Sequence, residues 1–342
     1  MRLTAWGWGL VAALLLVPTW PIVAGLLTVW DLHAGVPPIL LLYTVPLLLA
    51  AGWIGTVDRW AGIFAAYVIL RGLPYPLLAF ETVVAILAGL AIYAAARSLP
   101  AAADGRLQVA LVLVGAFTVG VQVGERINLA LGWWTPVGGA IGNPGYVGGF
   151  LAITGAIAPA AALPLFAVGL LATHSAAGLG AFLLALALRF RARGAAVLGL
   201  VGTGALLALR SWPPGLLARL IGWRLGLTHW WAAPVFGWGW AGWLKAGVVV
   251  DQHGAREWFA QAHNDWLQLL HDGGLVGLGL VLCWLWVHRP ALGRSPWLPA
   301  VAAAGLNALW WFPFQIPAVA LVALVALARA AREACPHPTP AC

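Results

Sequence analysis

Apolar runs close to the length of a membrane-spanning helix recur along almost the whole chain, with only short polar stretches between them. Of the 342 residues, 63% are hydrophobic and only 8% are charged. Soluble domains carry roughly 25% charged residues, so this chain lacks the charge to cover a water-exposed surface of ordinary size. The composition therefore predicts an all-α, polytopic integral membrane protein in contact with the lipid bilayer.

The positions of the apolar runs predict about twelve transmembrane helices. Their approximate ranges are 5–29, 36–57, 60–79, 81–96, 107–123, 145–159, 160–173, 175–190, 194–210, 266–287, 297–312 and 315–331. The third range has the weakest pattern because it contains Arg71, which we expect to pair with Glu81 at membrane depth. The first range could also be a signal peptide, but no small-residue cleavage site follows it, and we predict a retained helix.

The arginines predict the orientation of these helices. They lie in short clusters between apolar runs, which argues against a nucleic-acid-binding surface despite the net charge of +8. If Arg2 is cytoplasmic, the inner loops contain Arg59, Arg97, Arg106, Arg189, Arg191, Arg193, Arg289, Arg294, Arg329 and Arg332. The positive-inside rule then places both termini in the cytoplasm. Four regions follow: helices within 1–210, an outer loop at 211–265, helices within 266–332 and a cytoplasmic tail at 333–342.

The outer loop is rich in tryptophan, a residue that prefers the headgroup level of a bilayer. Its tryptophans are Trp212, Trp223, Trp230, Trp231, Trp238, Trp240, Trp243 and Trp258. We expect short amphipathic helices that lie partly in the membrane interface and cover a site for a lipid-borne substrate. The competing interpretation is a solvated connector, which this composition does not favour.

The run from His263 to Leu270, His-Asn-Asp-Trp-Leu-Gln-Leu-Leu, contains the strongest candidates for chemistry. A helix is predicted from about Asn264 onward, with Asn264 or Asp265 able to cap its start. Histidine titrates near neutrality, so His263 at the outer membrane boundary is a candidate general base. The alternative is a histidine that only forms hydrogen bonds in the interface.

Arginines and polar residues at other outer helix ends are the second group of candidates. Arg219 and Arg224 offer guanidinium groups that suit phosphate or pyrophosphate oxygens; snorkelling to lipid headgroups is the alternative. The predicted topology places Glu125, Arg126, Asn128, Asn143, His174 and Ser175 on the same side as the outer loop. This convergence on one face predicts a single surface site.

Metal chemistry is the competing interpretation of the same region. Asp251, His253, Glu257 and His263 could serve as ligands, and Cys335 with His337 could do so in the tail. Neither set has the close spacing typical of metal sites. We therefore expect no metal ion and no cofactor. The sequence also contains no P-loop and no dinucleotide-binding fingerprint.

The ordered motifs in residues 140–320 resemble those of the O-antigen ligase and polymerase superfamily. They are Gly142-Asn143-Pro144-Gly145, which predicts a helix start, Arg219-x-x-x-Trp223-Arg224, Pro234-Val235-Phe236-Gly237-Trp238-Gly239, the His263 run followed by Gly273-Gly274-Leu275, and Asn307-Ala308-Leu309-Trp310-Trp311-Phe312-Pro313. Family members often carry Ser-Arg-Gly at the start of a span, where this chain has His174-Ser175-Ala176-Ala177-Gly178. The missing arginine leaves one phosphate contact to His174 or Arg126.

The resemblance implies a helical membrane glycosyltransferase with a GT-C-like fold in the bacterial inner membrane and an active site on its periplasmic face. Such proteins transfer a glycan from undecaprenyl pyrophosphate to an acceptor hydroxyl without metal or nucleotide. It implies that His263 is the catalytic base and that Arg219, Arg224, Arg126 and His174 hold the pyrophosphate. Asn264, Asp265, Gln268 and Asn143 would orient the base or the acceptor.

The identity of the acceptor stays open at the level of sequence. It could be a lipid-linked core sugar, as in a ligase, another carrier-linked repeat, as in a polymerase, or a protein hydroxyl. We expect ligase-type transfer. A transporter of lipid-linked glycans and a structural scaffold are alternatives from other functional classes; a transporter would need polar residues along a path through the bilayer.

Overall fold

A computed structural model of the chain describes residues 59–73, 76–132, 141, 143–191, 214–247, 249–252, 255–259, 261–311 and 313–332. The first two predicted spans, the ninth predicted span and the C-terminal tail lie outside the described residues. So do His253, Cys335 and His337.

The described chain is almost entirely helical, as predicted. Its helices are α1 (Arg59–Gly72), α2 (Pro76–Ser98), α3 (Asp104–Ala130), α4 (Pro144–Ala156), α5 (Leu163–Thr173), α6 (Ala176–Arg189), α7 (Pro214–Trp230), α8 (Gly242–Ala246), α9 (Asp265–Leu292), α10 (Leu298–Trp310) and α11 (Pro317–Arg332). Single 3-10 turns occupy Ala101–Ala103, Ala160–Ala162 and Pro313–Gln315. A short antiparallel hairpin, β1 (Val249–Gln252) and β2 (Ala255–Trp258), pairs Val249 with Trp258 and adds a minor non-helical element.

Helix α4 forms the centre of the core, and every residue from Gly145 to Ala156 is buried. Its glycines allow neighbouring elements to come close, because a Cβ at Gly148 would lie 2.5 Å from Cβ of Ser175. A Cβ at Gly155 would lie 2.9 Å from the rings of both Phe166 and Phe182. Helices α3, α5, α6 and α10 all pack against α4. Small residues thus bring the helices together, as in the interiors of helical membrane proteins.

Two described helical segments are long and apolar enough to cross a membrane. They are Ala101–Ala130, with a mean hydropathy of 1.9, and Asp265–Leu292, with a mean hydropathy of 1.5. On α3, Val109, Leu113 and Phe117 form an outward stripe and are 59%, 60% and 56% exposed. The other apolar helices in the described part of the chain are shorter, so the predicted number of about twelve spans stays a prediction.

Helix α9 is interrupted at Gly274, where φ is 64° and ψ is −169°. The range 266–287 is predicted as one span, and the structure shows a break inside it. The segment 234–239 supplies the backbone partners that the broken helix lacks: Leu275 N–H donates to Pro234 O (2.9 Å), Val276 N–H to Val235 O (3.0 Å), Trp238 N–H to His271 O (3.0 Å) and Gly239 N–H to Asp272 O (2.9 Å). Backbone groups freed by a helix break require such partners when water is excluded.

Helix α1 also binds the junction between segment 234–239 and the break in α9. Arg71 Nη2 donates to Gly237 O at 2.8 Å, and the Tyr67 hydroxyl donates to Gly273 O. The charge of Arg71 therefore stabilises the irregular backbone next to the break. The predicted pairing of Arg71 with Glu81 stays a prediction, because the side chain of Glu81 lies outside the described part of the structure.

The segment predicted as the outer loop is more structured than the short interfacial helices expected there. It contains a 17-residue helix, α7, as well as the short α8 and the hairpin. Indole N–H groups of Trp223, Trp238, Trp240 and Trp243 donate to backbone carbonyls at 2.7–3.0 Å. Trp240 and Trp243 are 3% and 0% exposed. A buried indole N–H needs an acceptor. Three of these bonds therefore hold the segment together, and the bond from Trp240 fastens it to Val68 of α1.

Arg329, predicted at a cytoplasmic helix end, is buried at 2% exposure. Its Nε lies 2.5 Å from Asp104 Oδ1, and its Nη1 donates to the carbonyls of Ala96 (3.0 Å) and Leu99 (2.7 Å). One side chain thus joins the end of α2, the start of α3 and α11.

Candidate functional site

The ring of Trp311 is the point where the main predicted site residues meet. The guanidinium carbon of Arg219 lies 4.2 Å from the ring centroid, and Arg219 Nη1 donates to Trp310 O at 3.1 Å. The rings of His263 and Tyr146 meet Trp311 edge-on, with centroid distances of 5.9 Å and 5.8 Å. The structure therefore brings Arg219 and His263 to the same indole.

Helix α7 positions Arg219 through a neighbouring tryptophan. Trp223 lies one turn further along the helix, on the same side as Arg219. Its Nε1 donates to Ala262 O at 2.7 Å, and its ring lies 5.9 Å from that of Trp310. Since Ala262 directly precedes His263, this tryptophan fixes the spacing between the helix that carries the arginine and the segment that carries the histidine.

His263 adopts a left-handed backbone conformation with φ of 50°. Non-glycine residues rarely occupy this region, and they cluster at functional sites when the surrounding structure holds them there. Phe259 packs edge-on against the imidazole at 5.4 Å, so the half-buried ring lies between Phe259 and Trp311. The backbone strain and the two aromatic neighbours fix the direction of the imidazole.

Burial of Arg219 lowers the pKa of its guanidinium, and the nearby Tyr146 hydroxyl acts weakly in the opposite direction. Arginine nevertheless keeps its charge in proteins. Among the described side chains, no carboxylate lies within ion-pair distance of Arg219. A half-buried cation whose contacts are the Trp310 carbonyl and the Trp311 ring retains the capacity to bind an anion.

Asn264, Asp265 and Gln268 organise the backbone around His263. Asn264 Oδ1 caps α9 by accepting from Leu267 N–H at 2.9 Å. Gln268 Oε1 accepts from Ala262 N–H at 3.0 Å. The Asp265 carboxylate accepts from Phe314 N–H (3.0 Å) and Gln315 Nε2 (2.8 Å), which ties the start of α9 to the turn after Trp311.

Asn143 performs a similar task at the start of α4. Its Oδ1 accepts from Gly145 N–H at 2.8 Å, and Gly145 lies against the Trp311 ring so closely that a Cβ there would overlap it. Tyr146 follows directly. The predicted Gly-Asn-Pro-Gly helix start is therefore confirmed as a helix start, and it delivers Tyr146 to the site.

The remaining predicted phosphate ligands lie apart from Trp311. Arg224 is exposed on α7, about 140° around the helix from Arg219. Arg126 Nε donates to Ala172 O at 2.6 Å near the end of α5, where His174 is exposed and left-handed with φ of 55°. Ser175 packs against Gly148, one turn along α4 from the Trp311 contact. The end of α5 thus borders the site without forming its centre.

Sequence reasoning did not single out Tyr146 or the grouping of His229 with His271 and Asp272. Tyr146 follows a predicted helix start, and its position there was the available signal. The histidine grouping had no local signal, because His229 and His271 are 42 positions apart in the sequence. The fold makes them neighbours, with His229 Nδ1 2.9 Å from His271 Nε2.

Of the residues considered as alternative metal ligands, His253 and the side chains of Asp251 and Glu257 lie outside the described residues. Among the side chains that the structure describes, no three His, Cys, Asp or Glu groups converge as metal ligands do.

Comparison with known proteins adds no relative. No protein-family model matches the sequence, and no curated protein sequence matches it.

Proposed function

We propose that this chain is a membrane glycosyltransferase that moves a glycan from undecaprenyl pyrophosphate to an acceptor hydroxyl, as an O-antigen ligase does. The observation that carries the proposal is the meeting of Arg219 and His263 at Trp311. A half-buried guanidinium suits the leaving pyrophosphate, and an imidazole at the same indole suits removal of a proton from the acceptor. The motifs that resemble the superfamily supply these same two residues.

In the proposed reaction the acceptor oxygen attacks the anomeric carbon as His263 takes the hydroxyl proton. The bond from the anomeric carbon to the pyrophosphate oxygen breaks, and the negative charge that develops there is stabilised by Arg219. Displacement in one step inverts the anomeric centre. Because the leaving group needs charge stabilisation more than protonation, the proposal requires no metal ion.

The proposal includes a polytopic, GT-C-like membrane protein with about twelve spans, an outer-face site and cytoplasmic termini in the bacterial inner membrane. Two long apolar helical segments and the exposed apolar stripe on α3 support the membrane setting. Arg126 and His174, at the end of α5 that borders the Trp311 site, are proposed as secondary contacts for the pyrophosphate. Arg224, exposed on α7, is proposed as a contact for the pyrophosphate or its lipid.

Three kinds of acceptor fit this chemistry: a lipid-linked core sugar, a second carrier-linked repeat, or a protein hydroxyl. A transporter of lipid-linked glycans is the alternative from a different class. The meeting of Arg219 and His263 at one indole favours a reaction, because transport alone does not require a base near the pyrophosphate site.

The test is transfer by purified protein in detergent, with a glycan linked to undecaprenyl pyrophosphate, chelator present and candidate acceptors added. We expect product from the wild type and none above background from His263→Ala, with donor binding retained. A ladder from donor alone would identify a polymerase, and a product that needs an added acceptor would identify a ligase. Donor binding without any product in the wild type would contradict the proposal and favour transport.

A further inference from the structure

A chain of hydrogen bonds joins Asp272, His271 and His229 at the opposite end of α7 from Arg219. His271 Nδ1 lies 2.7 Å from Asp272 Oδ1, and His271 Nε2 lies 2.9 Å from His229 Nδ1. Asp272 and His271 are 1% and 0% exposed, whereas His229 is half-buried. The chain therefore runs from a buried carboxylate to a group near the surface.

The carboxylate fixes the direction of these hydrogen bonds. Asp272 Oδ1 also accepts from Trp243 N–H at 2.8 Å, so it acts as an acceptor and His271 Nδ1 carries the proton. When His271 is neutral, its unprotonated Nε2 can only accept a hydrogen bond, so His229 must donate that hydrogen bond from Nδ1. The lone pair of neutral His229 is consequently on Nε2. His229 is thus a base oriented by His271, which is in turn oriented by the Asp272 carboxylate. Such an arrangement is suited to proton uptake.

His229 faces a small cleft of about 110 Å³, lined also by Trp238, Gly242, Lys245 and Ala246. This volume is below the roughly 300–1,000 Å³ of clefts that hold drug-sized ligands, so the cleft suits only a small ion. The Trp238 ring stacks on the His229 imidazole at 4.2 Å and 13°, which fixes the imidazole plane. Lys245 is the only lysine of the chain, and it places a cation at this cleft.

We propose that this cleft binds an oxyanion of the phosphate class and takes up one proton as it does so. A proton from water bonds to His229 Nε2 while the Nδ1 proton of His229 passes to His271 Nε2. The positive charge then resides on His271 beside the Asp272 carboxylate, and the bound oxyanion is neutralised by Lys245 and the His229 N–H. The inference does not depend on glycan transfer.

The charges around His229 agree with this assignment. Burial lowers the pKa of His229, and the neighbouring His271 lowers it further, so the imidazole is neutral at pH 7 without ligand. Lys245 contributes a cation from α8, Asp272 an anion from α9, and Arg71 of α1 binds the Gly237 carbonyl next to Trp238. An anion in the cleft raises the proton affinity of His229 and thereby couples binding to protonation.

The cleft is separate from the Trp311 site. Arg219 and His229 are ten positions apart on α7, a distance of about 15 Å along the axis. Trp243, which is fully buried, and its neighbours Ala218 and Ala262 form the apolar cluster between the two sites. The oxyanion could be a lipid phosphate headgroup or a soluble phosphate compound, and the experiment distinguishes these sources.

The experiment is isothermal titration calorimetry of the protein in phosphatidylcholine nanodiscs with sulfate, an oxyanion whose own charge is constant from about pH 5.5 to about pH 8. Comparing two buffers of different protonation enthalpy gives the number of protons taken up. We expect sulfate binding to be accompanied by the uptake of up to about one proton. At pH values above the pKa that His229 has without ligand, the affinity for sulfate should fall by up to about tenfold per pH unit.

Variants test whether sulfate binding and proton uptake depend on these residues. His229→Gln should bind sulfate without proton uptake, Lys245→Met should lose affinity, and Asp272→Asn should shift proton uptake to lower pH. His288→Gln, which changes a histidine on the far part of α9, is the matched control and should behave like the wild type. Absence of sulfate binding, or proton uptake that persists in His229→Gln, would overturn the proposal.

Nanodiscs that contain phosphatidylglycerol separate the two sources of the oxyanion. If a lipid headgroup occupies the cleft, the anionic lipid should weaken sulfate binding in the wild type and leave Lys245→Met unchanged. If the ligand is soluble, sulfate should bind equally in both kinds of nanodisc.

Discussion

At the scale of single residues, Trp311 determines the geometry of the candidate site. Arg219 lies over the face of its ring, where a cation is attracted by the negative face of the aromatic system by roughly 0.5–2 kcal/mol. The same ring contacts His263 and Tyr146 along its edges. One indole therefore sets the positions of the proposed cation and the proposed base together.

Arg219→Lys should lower kcat/KM for glycan transfer by at least about tenfold, while Arg224→Lys should change it less. Lysine retains the charge but not the planar fork that stacks on Trp311 and binds two phosphate oxygens. Steady-state transfer assays on both variants check this. Equal losses in the two variants would contradict the assignment of Arg219 as the principal pyrophosphate ligand.

Arg329→Met should lower the free energy of unfolding by at least about 2 kcal/mol, because it leaves the Asp104 carboxylate and several carbonyls without their charged donor. Thermal unfolding in detergent measures this, with the exposed Arg294→Met as the matched control. Equal stability of the two variants would show that the buried arginine is dispensable.

At the scale of elements, the break in α9 depends on two glycines in contact. Gly237 has φ of 68° and Gly274 has φ of 64°, and a Cβ on either would overlap the backbone of the other segment. Positive φ and the close approach both require glycine. The junction of loop and helix is consequently intolerant of any side chain.

Gly274→Ala should destabilise the fold by about 3 kcal/mol or abolish it, since it adds steric overlap to backbone strain. Gly279→Ala lies in the same helix with no atom within 4 Å of the new Cβ, and it should be neutral or slightly stabilising. Unfolding temperature and folded yield report the difference. A Gly274→Ala protein as stable as Gly279→Ala would refute the role of the junction.

Sequence patterns predicted the elements better than the contacts between them. The helix starts at Asn143 and Asn264 were predictable because capping is local, and both side chains accept the expected backbone hydrogen bonds. The break at Gly274 was not predictable, because hydropathy carries no information about the backbone angle φ. The burial of Trp240 and Trp243 was likewise missed, since composition cannot distinguish a lipid interface from a protein interior.

The candidate site was predictable in part. Arg219 and His263 were singled out as residues, but their common contact with Trp311 depends on α7, α9 and the end of α10 packing together. Arg224, predicted as a helper of Arg219 in holding the pyrophosphate, is exposed. Rotation by five residues around a helix separates the two arginines, and only the packing reveals which one faces inward.

At the scale of the whole molecule, the apolar outer face of α3 has the composition of a lipid-facing surface. Val109, Leu113 and Phe117 recur every four residues and are more than half exposed, at 59%, 60% and 56%. Exposed stripes of this kind are unusual on soluble monomers. The proposed bilayer would cover them.

In a cysteine-free background, Phe117→Cys should resist an aqueous maleimide in membrane vesicles and react after denaturation. The cysteine of Arg224→Cys, on the proposed outer loop, should react at once with the same maleimide when the reagent can reach the outer face of the membrane in cells. Mass shift after labelling measures both reactions. Rapid labelling of Phe117→Cys in intact vesicles would contradict its contact with lipid.

The pairing of segment 234–239 with α9 restricts how a ligand can enter the cleft beside His229, because Trp238 of this segment lines that cleft. Lifting that segment would break four backbone hydrogen bonds, and with roughly 1–3 kcal/mol for each buried group left unsatisfied the total is roughly 4–12 kcal/mol. A hinged gate needs a far smaller opening energy to work on the timescale of turnover. The segment is therefore a fixed wall of that cleft.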